Sequence, residues 1–137
     1  MLHPQIVVHE RDGRLAEQLR QLAAAERWAL REPRQADPLW RALQLGGPTV
    51  FVVKLGRKEP ERELALIERV GWHLPDVATV AVGDVEDAAV LAGLAWDAGA
   101  AYALFPPLSR DLLPEVVAGL MRRAVRDALP AAPAEPP

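Results

Sequence analysis

Five short apolar segments alternate with amphipathic segments along this chain, and this alternation is the feature that most restricts the fold. The apolar segments are rich in β-branched residues, which is typical of buried strands. We predict strands at Gln5–His9, Trp28–Glu32, Thr49–Leu55, Val77–Val82 and Ala101–Phe105. Because strands and helices alternate, we expect an α/β protein with a parallel sheet and helices on both faces.

The segments between the strands carry apolar residues at spacings of three and four, which predicts helices. Asp12 and Asp37 are expected to cap the first two helices, and Asp84 with Asp87 resembles a capping box. Glycine is expected to end the middle helices. The predicted helices run from Asp12 to Glu26, Asp37 to Gly46, Pro60 to Gly71, Asp84 to Gly99 and Leu112 to Val125.

Composition excludes several classes of protein. The chain has no cysteine, which excludes disulfides, thiolate metal sites and cysteine nucleophiles. Its net charge of −3 argues against a chain that binds nucleic acid through a positive field. No apolar run is long enough to span a bilayer, and the first residues lack a signal-peptide pattern. We expect a cytoplasmic protein that binds neither nucleic acid nor membrane through this chain.

No arrangement of residues typical of an enzyme is present in the sequence. Ser109 is the only serine, and no Gly-x-Ser-x-Gly elbow surrounds it. The segment HERDGR after the first strand has one glycine, which is too few for a phosphate-cradling loop. His9 and His73 lie far apart in sequence without an acidic cluster, so no zinc site is predicted. We therefore expect no catalytic activity, no metal site and no cofactor.

The last residues differ from the rest of the chain. The segment LPAAPAEPP is rich in proline and alanine and offers no face that could pack. We expect a folded domain over residues 1–127 and a flexible or extended tail over residues 128–137, of the kind found in linkers.

Three segments give a more specific resemblance. QIVVHER matches the first strand of a response-regulator receiver domain with its acidic pair, and VFVVKLGRK matches the strand that carries the phosphate-accepting aspartate. The segment DAGAAYALFPPLSRDLL is similar to the receiver segment of an Ala-Gly-Ala, an aromatic residue, a short strand, Lys-Pro and a last helix. The resemblance covers about residues 5–125. It implies a flavodoxin-like (βα)5 three-layer sandwich with a five-stranded parallel sheet in the order 2-1-3-4-5.

The resemblance also implies that the phosphotransfer chemistry of receiver domains is lost. Lys54 stands at the position of the phosphate-accepting aspartate, and only one carboxylate remains at the acidic pair. The family's hydroxyl residue is replaced by valine or glycine, and its lysine by phenylalanine. The positions of this degenerate phosphoacceptor pocket are His9, Glu10, Lys54, Val82, Gly83, Phe105 and Pro106. One further expectation from the family is a cis bond between Phe105 and Pro106.

Two interpretations of Lys54 remain open from sequence alone. In the first, the side chain extends along the surface and its ammonium group lies in water. In the second, Lys54 reaches into the vacated pocket and pairs with Glu10, because an unpaired buried ammonium would be costly. The two adjacent strands end in the same cleft, so the sequence allows this pair.

Receiver domains commonly dimerise and signal through the fourth helix, fifth strand and fifth helix. The residues that we expect to form this face are Val90, Leu94, Trp96, Tyr102, Leu113 and Val117. The fourth helix is more apolar than one buried stripe requires, and surface tryptophans often mark interfaces. Trp72 and His73 are expected to be structural.

Three functions fit the sequence. We favour a non-catalytic receiver-like signalling module that binds a protein partner and that can form a homodimer. The second is a small-molecule-binding protein that uses the cleft at the carboxyl ends of strands 1 and 3, where open α/β sheets place ligands. The third is the regulatory domain of a larger transcriptional regulator.

Overall fold

A computed structural model describes residues 2–56, 58–84 and 88–129 of the chain. Its five strands form one parallel sheet in the order β2-β1-β3-β4-β5, which confirms the predicted fold class and strand order. The strands are β1 Gln5–His9, β2 Ala29–Arg31, β3 Thr49–Lys54, β4 Ala78–Val82 and β5 Tyr102–Leu104. Each predicted strand is present, although β2 and β5 are shorter than the apolar segments that contain them.

Five helices cover the two faces of the sheet. They are α1 Arg14–Glu26, α2 Ala36–Leu43, α3 Pro60–His73, α4 Ala88–Ala98 and α5 Leu113–Ala128, with a 3-10 turn at Arg110–Leu112 before α5. Helices α1 and α5 pack on one face, and α2, α3 and α4 pack on the other. Within the described ranges, no helix combines the length and apolarity needed to cross a bilayer.

The register of the sheet aligns the carboxyl ends of its central strands. His9 at the end of β1 pairs with Val53, and Lys54 at the end of β3 pairs with Val82 at the end of β4. The loops that follow these strands therefore meet at one edge of the sheet. This is the edge at which open α/β sheets place their ligands.

Several predicted helix boundaries are wrong for local reasons. The residue before α1 is Gly13, whose φ of 78° is favourable for glycine, and not Asp12. Helix α2 begins at Ala36, so Asp37 lies inside its first turn and makes no capping hydrogen bond. Helix α3 continues through Gly71 to His73, because glycine is tolerated within a helix at a modest cost.

Some sequence expectations concern residues near the ends of the described ranges. Asp87, the second residue of the predicted capping box, lies outside the described residues, as do residues 130–137 of the predicted tail.

The expectation that Trp72 is structural is wrong, because it is 85% exposed at the end of α3. Ser109 caps the 3-10 turn before α5, since its hydroxyl accepts a hydrogen bond from the Asp111 amide at 3.2 Å.

Candidate functional site

A cleft of about 830 Å³ lies at the carboxyl edge of the sheet and extends between α2 and α3. His9, Glu10 and Lys54 line this cleft, as expected from their positions after β1 and at the end of β3. The structure also places Asp12 and Asp84 in its lining. Five polar side chains from three strand ends therefore meet around one space.

Lys54 lies in this cleft with its ammonium group between two carboxylates. Its Nζ is 3.6 Å from Asp12 Oδ2 and 3.9 Å from Asp84 Oδ2. Its side chain is only 19% exposed, so it does not simply extend into water. The expected partner was Glu10, and this part of the hypothesis is wrong, because no salt bridge joins Lys54 to Glu10.

Glu10 is held by the start of α1 instead. Its Oε1 accepts a hydrogen bond from the Leu15 amide at 2.8 Å, and its Oε2 accepts one from the Ala16 amide at 2.8 Å. These amides are among the first N–H groups of the helix, which have no partner inside it. Glu10 therefore shares the capping of α1 with Asp12, which accepts the Arg14 amide, and both Glu10 oxygens are engaged there.

Asp12 lies beside Lys54 and the start of α1, and its carboxylate is stabilised from several directions. Its Oδ1 accepts a hydrogen bond from the Arg14 amide at 3.1 Å. This amide contact is the main cause that lowers the pKa of Asp12 from its ordinary value, and the carboxyl of Glu10 and the charges of Lys54 and Arg14 act in the same direction. Desolvation opposes the change. Asp12 is therefore negatively charged at neutral pH and available to Lys54.

Asp84 joins the cleft to the turn before α5. Its Oδ1 accepts a hydrogen bond from Arg110 Nη2 at 2.9 Å, and the same nitrogen donates to the Gly83 carbonyl at 3.2 Å. Charge-assisted hydrogen bonds of this kind are short and geometrically specific. The loops after β1, β4 and β5 are thus connected through Asp12, Lys54, Asp84 and Arg110.

Phe105 and Gly83, which the sequence resemblance matches to a receiver domain's lysine and hydroxyl, pack against each other. Phe105 is 3% exposed. A Cβ atom built on Gly83 would overlap with three carbons of the Phe105 ring, so only glycine fits at position 83 as long as the ring keeps its place. Val82, the other candidate for the hydroxyl position, is fully buried in the core.

His9 and Pro106 lie at the margins of the pocket. The Nδ1 of half-buried His9 is 3.4 Å from the Pro33 carbonyl oxygen, which orients the ring toward the loop after β2. The predicted cis bond between Phe105 and Pro106 is wrong, because the cis bond is the next one, between Pro106 and Pro107. Both bonds precede a proline and so have only a weak trans preference, which sequence does not distinguish.

The described residues contain no cluster of three or more histidine or carboxylate side chains arranged to hold a metal ion. The acids of the cleft have other partners. Glu10 accepts two backbone amides, and Asp12 and Asp84 both face the Lys54 ammonium.

Only some residues of the expected interaction face are exposed in the structure. Val90, Leu94 and Trp96 are exposed on α4, and the half-buried Tyr102 ring meets Trp96 edge-on at a centroid distance of 6.0 Å. Leu113 and Val117 do not belong to this face, because they are fully buried against the sheet. Their spacing of four places them on the apolar stripe of α5 that faces the core.

Sequence reasoning assigned three residues of this site elsewhere or not at all. The sequence pattern predicts Asp12 and Asp84 as helix caps. However, Asp12 lies three residues after the end of β1, and Asp84 lies two residues after the end of β4. That position was the available signal, since such loops converge in a parallel sheet. Arg110 had no comparable signal, because its contact with Asp84 spans 26 residues of sequence.

Comparison with solved structures places the fold among receiver domains. A response regulator from Thermotoga maritima superposes with a TM-score of 0.69 and 19% identity, over 88% of this chain and 99% of that one. A CheY-like protein (TadZ) from Pseudomonas aeruginosa gives a TM-score of 0.64 and 25% identity, over 97% and 100% of the two chains. The beryllofluoride-activated NtrC4 receiver domain dimer superposes with a TM-score of 0.69 and 14% identity, over 88% of this chain and 98% of that one. No protein-family model and no curated protein sequence matches the chain.

Proposed function

We propose that the chain is a receiver-like signalling module that does not accept a phosphoryl group and that acts by binding a protein. The observation that carries this proposal is Lys54 at the end of β3, with its ammonium group between Asp12 and Asp84. An ammonium group offers no carboxylate oxygen for phosphorylation. It also repels a divalent cation from the space that these carboxylates surround.

The other side of the pocket supports the same proposal. Phe105 brings an apolar ring to the position of the family's lysine, and Gly83 brings no hydroxyl. A phosphoryl group would therefore meet neither a pairing cation from β5 nor a hydroxyl from the loop after β4. The charges present already neutralise one another through Lys54 and Arg110.

The first prediction is that acetyl phosphate with Mg²⁺ leaves the intact mass of the protein unchanged. The matched comparison is Lys54→Asp, which restores a carboxylate at the end of β3. A phosphorylatable receiver domain from another protein serves as the positive control for the reagent. A stoichiometric phosphoryl adduct on the natural chain, whether acid-labile or acid-stable, would contradict the proposal.

The surface through which we propose partner binding is the α4 face, defined as Val90, Leu94 and Trp96 with Tyr102 beside them. These α4 residues are apolar and between 44% and 64% exposed. Val90 and Leu94 are one turn apart on α4, whereas Trp96 lies about 200° around the helix from Leu94 and beside Tyr102. Exposed apolar side chains on small proteins can mark interaction sites. The NtrC4 receiver domain, which shares this fold, is a dimer in its activated form. A second copy of this chain is therefore the first partner to test.

The second prediction concerns the α4 face. Trp96→Glu is expected to abolish self-association in sedimentation or light scattering, because a carboxylate at an apolar interface would be desolvated without a partner. Trp72→Glu is the matched control, since Trp72 is an exposed tryptophan on α3. If the natural chain stays monomeric at high concentration, the homodimer is excluded. Equal effects of the two substitutions would argue against the α4 face as the contact.

A further inference from the structure

The cleft described above continues beyond Lys54 into a part that the proposed function does not use. Between α2 and α3 its wall is apolar, and it is formed by Leu39, Trp40, Leu55 and Leu66. The whole cleft has a volume of about 830 Å³. Small-molecule sites typically enclose roughly 300–1,000 Å³ with mostly apolar walls and a few polar groups. The cleft therefore has the size and lining of a site for a small organic ligand.

Three guanidinium groups at this cleft have no ion-pair partner among the described residues. Arg11, Arg34 and Arg69 line it, and none of them forms an ion pair with a residue in the ranges 2–56, 58–84 and 88–129. Four of the five acids that line the cleft are already engaged, and the fifth, Glu63, accepts the Gly56 amide through one oxygen. Glu10 accepts two amides, Asp12 and Asp84 face Lys54, and Glu59 pairs with Arg62 at 3.2 Å. An anionic group on a ligand would consequently find guanidinium donors that are not held in an ion pair.

A flat π surface lies in the same cleft. The Arg69 guanidinium carbon is 4.8 Å from the centroid of the Trp40 ring, and the His73 ring lies nearly perpendicular to that ring at 6.4 Å between centroids. Both Trp40 and Arg69 line the cleft, so a planar ring that enters it meets an indole or a guanidinium plane. Nucleic-acid bases stack on both kinds of group.

The cleft wall also contains an unused hydrogen-bond acceptor. Glu63 Oε1 accepts a hydrogen bond from the Gly56 amide at 3.2 Å, whereas its Oε2 is buried and has no partner among the described residues. Buried acceptors without a donor are uncommon in folded proteins. An N–H group on a ligand ring, after a small rotation of the Glu63 side chain, would supply the missing donor.

We propose that this cleft binds a purine mononucleotide, with its base against Trp40 and Arg69 and its phosphate held by Arg34. The apolar wall and π surface account for the base, the unpaired guanidinium groups for the phosphate, and Glu63 for an N–H of the purine. Arginine binds phosphate oxygens through two parallel hydrogen bonds, which suits this role. The inference does not rest on the proposed signalling function, because it uses residues outside the phosphoacceptor positions.

Isothermal titration of the full chain with AMP and with GMP tests the proposal directly. At least one nucleotide is expected to bind, and its dissociation constant is expected to be at least about tenfold lower than those of the matching nucleoside and of ribose 5-phosphate. The comparison separates the two halves of the ligand, since the nucleoside lacks the anion and ribose 5-phosphate lacks the base. Absence of binding by both AMP and GMP would overturn the proposal.

Four variants at three positions locate the binding. Arg34→Gln is expected to weaken nucleotide binding by about tenfold and to leave the fold intact, because Arg34 is exposed. Trp40→Phe should retain partial affinity, whereas Trp40→Leu should bind no better than ribose 5-phosphate. Arg123→Gln, an exposed position on α5 at the opposite face of the sheet, should bind like the natural chain. Equal weakening by Arg34→Gln and Arg123→Gln would indicate diffuse attraction and contradict a site in the cleft.

Discussion

Replacement of Gly83 by alanine is expected to lower the free energy of unfolding by about 2–3 kcal/mol, the upper part of the usual range for an overpacked core. The new Cβ would overlap with the Phe105 ring, which is itself buried and cannot move into solvent. The ring must therefore leave its rotamer, or the loop after β4 must shift. Chemical denaturation of the two proteins measures this difference.

The controls for Gly83→Ala come from the same chain. Gly93 and Gly119 lie within α4 and α5, and a Cβ at either position meets nothing within 4 Å. Gly93→Ala and Gly119→Ala should therefore stabilise the protein by roughly 0.5–1 kcal/mol each, which reverses the sign of the effect. In a Phe105→Ala background, Gly83→Ala should cost much less. An unchanged cost in that background would show that the ring is not the obstacle.

Replacement of Lys54 by methionine is expected to lower the free energy of unfolding by about 1–2 kcal/mol at neutral pH, more than a typical surface ion pair contributes. Methionine keeps most of the apolar stem and removes the charge. Asp12 and Asp84 would then face each other and Glu10 across the cleft without the ammonium group between them. Urea denaturation at neutral pH measures the loss. If the free energy of unfolding of Lys54→Met equals that of the natural chain within experimental error, Lys54 behaves as an ordinary surface lysine and the pairing contributes nothing.

A double-mutant cycle identifies the partner of Lys54. Because Lys54 Nζ is 3.6 Å from Asp12, Asp12→Asn should recover part of the loss caused by Lys54→Met. Glu10→Gln should show weaker coupling to Lys54→Met, since both Glu10 oxygens are bound to amides of α1. A stronger coupling with Glu10 than with Asp12 would contradict the geometry of this cleft.

The same cycle has a dependence on pH whose sign follows from Asp12. Its pKa is lowered in the folded protein, so its contribution to stability is complete above the ordinary value of 3.8 and disappears as the pH falls through the lowered value. Lys54→Met removes one of the causes of this lowering. The loss of stability in acid should therefore be smaller in Lys54→Met than in the natural chain, and smaller again in Asp12→Asn.

The fold could be predicted from sequence because its signals are local and repeated. Each strand is a short β-branched run such as Val50–Val53, and each helix has an apolar stripe, so the alternation alone defines the class. The boundaries were less predictable, because they depend on contacts that sequence does not contain. Helix α1 is capped by a residue that lies five positions before Leu15, which no local capping pattern describes.

The candidate site could be predicted only in part, for a similar reason. Strand ends placed His9, Glu10 and Lys54 in one cleft, and the structure agrees. Which acid pairs with Lys54 depends on the path of two loops, and the expected acid, Glu10, is not the partner. Leu113 and Val117 are buried because they belong to the apolar stripe of α5 that faces the sheet. Their spacing in that stripe is the sequence signal that indicates their burial.

The contact between Gly83 and Phe105, together with the charges around Lys54, makes it difficult to introduce phosphoacceptor chemistry here one substitution at a time. A residue with a hydroxyl at position 83 would collide with the ring as long as Phe105 is present. A lysine at position 105 would bring a second ammonium group toward Lys54. An aspartate at position 54 would add a carboxylate to three others while removing their cation. Each of these single substitutions thus carries its own cost, so a phosphoacceptor site would require several of them to be made together.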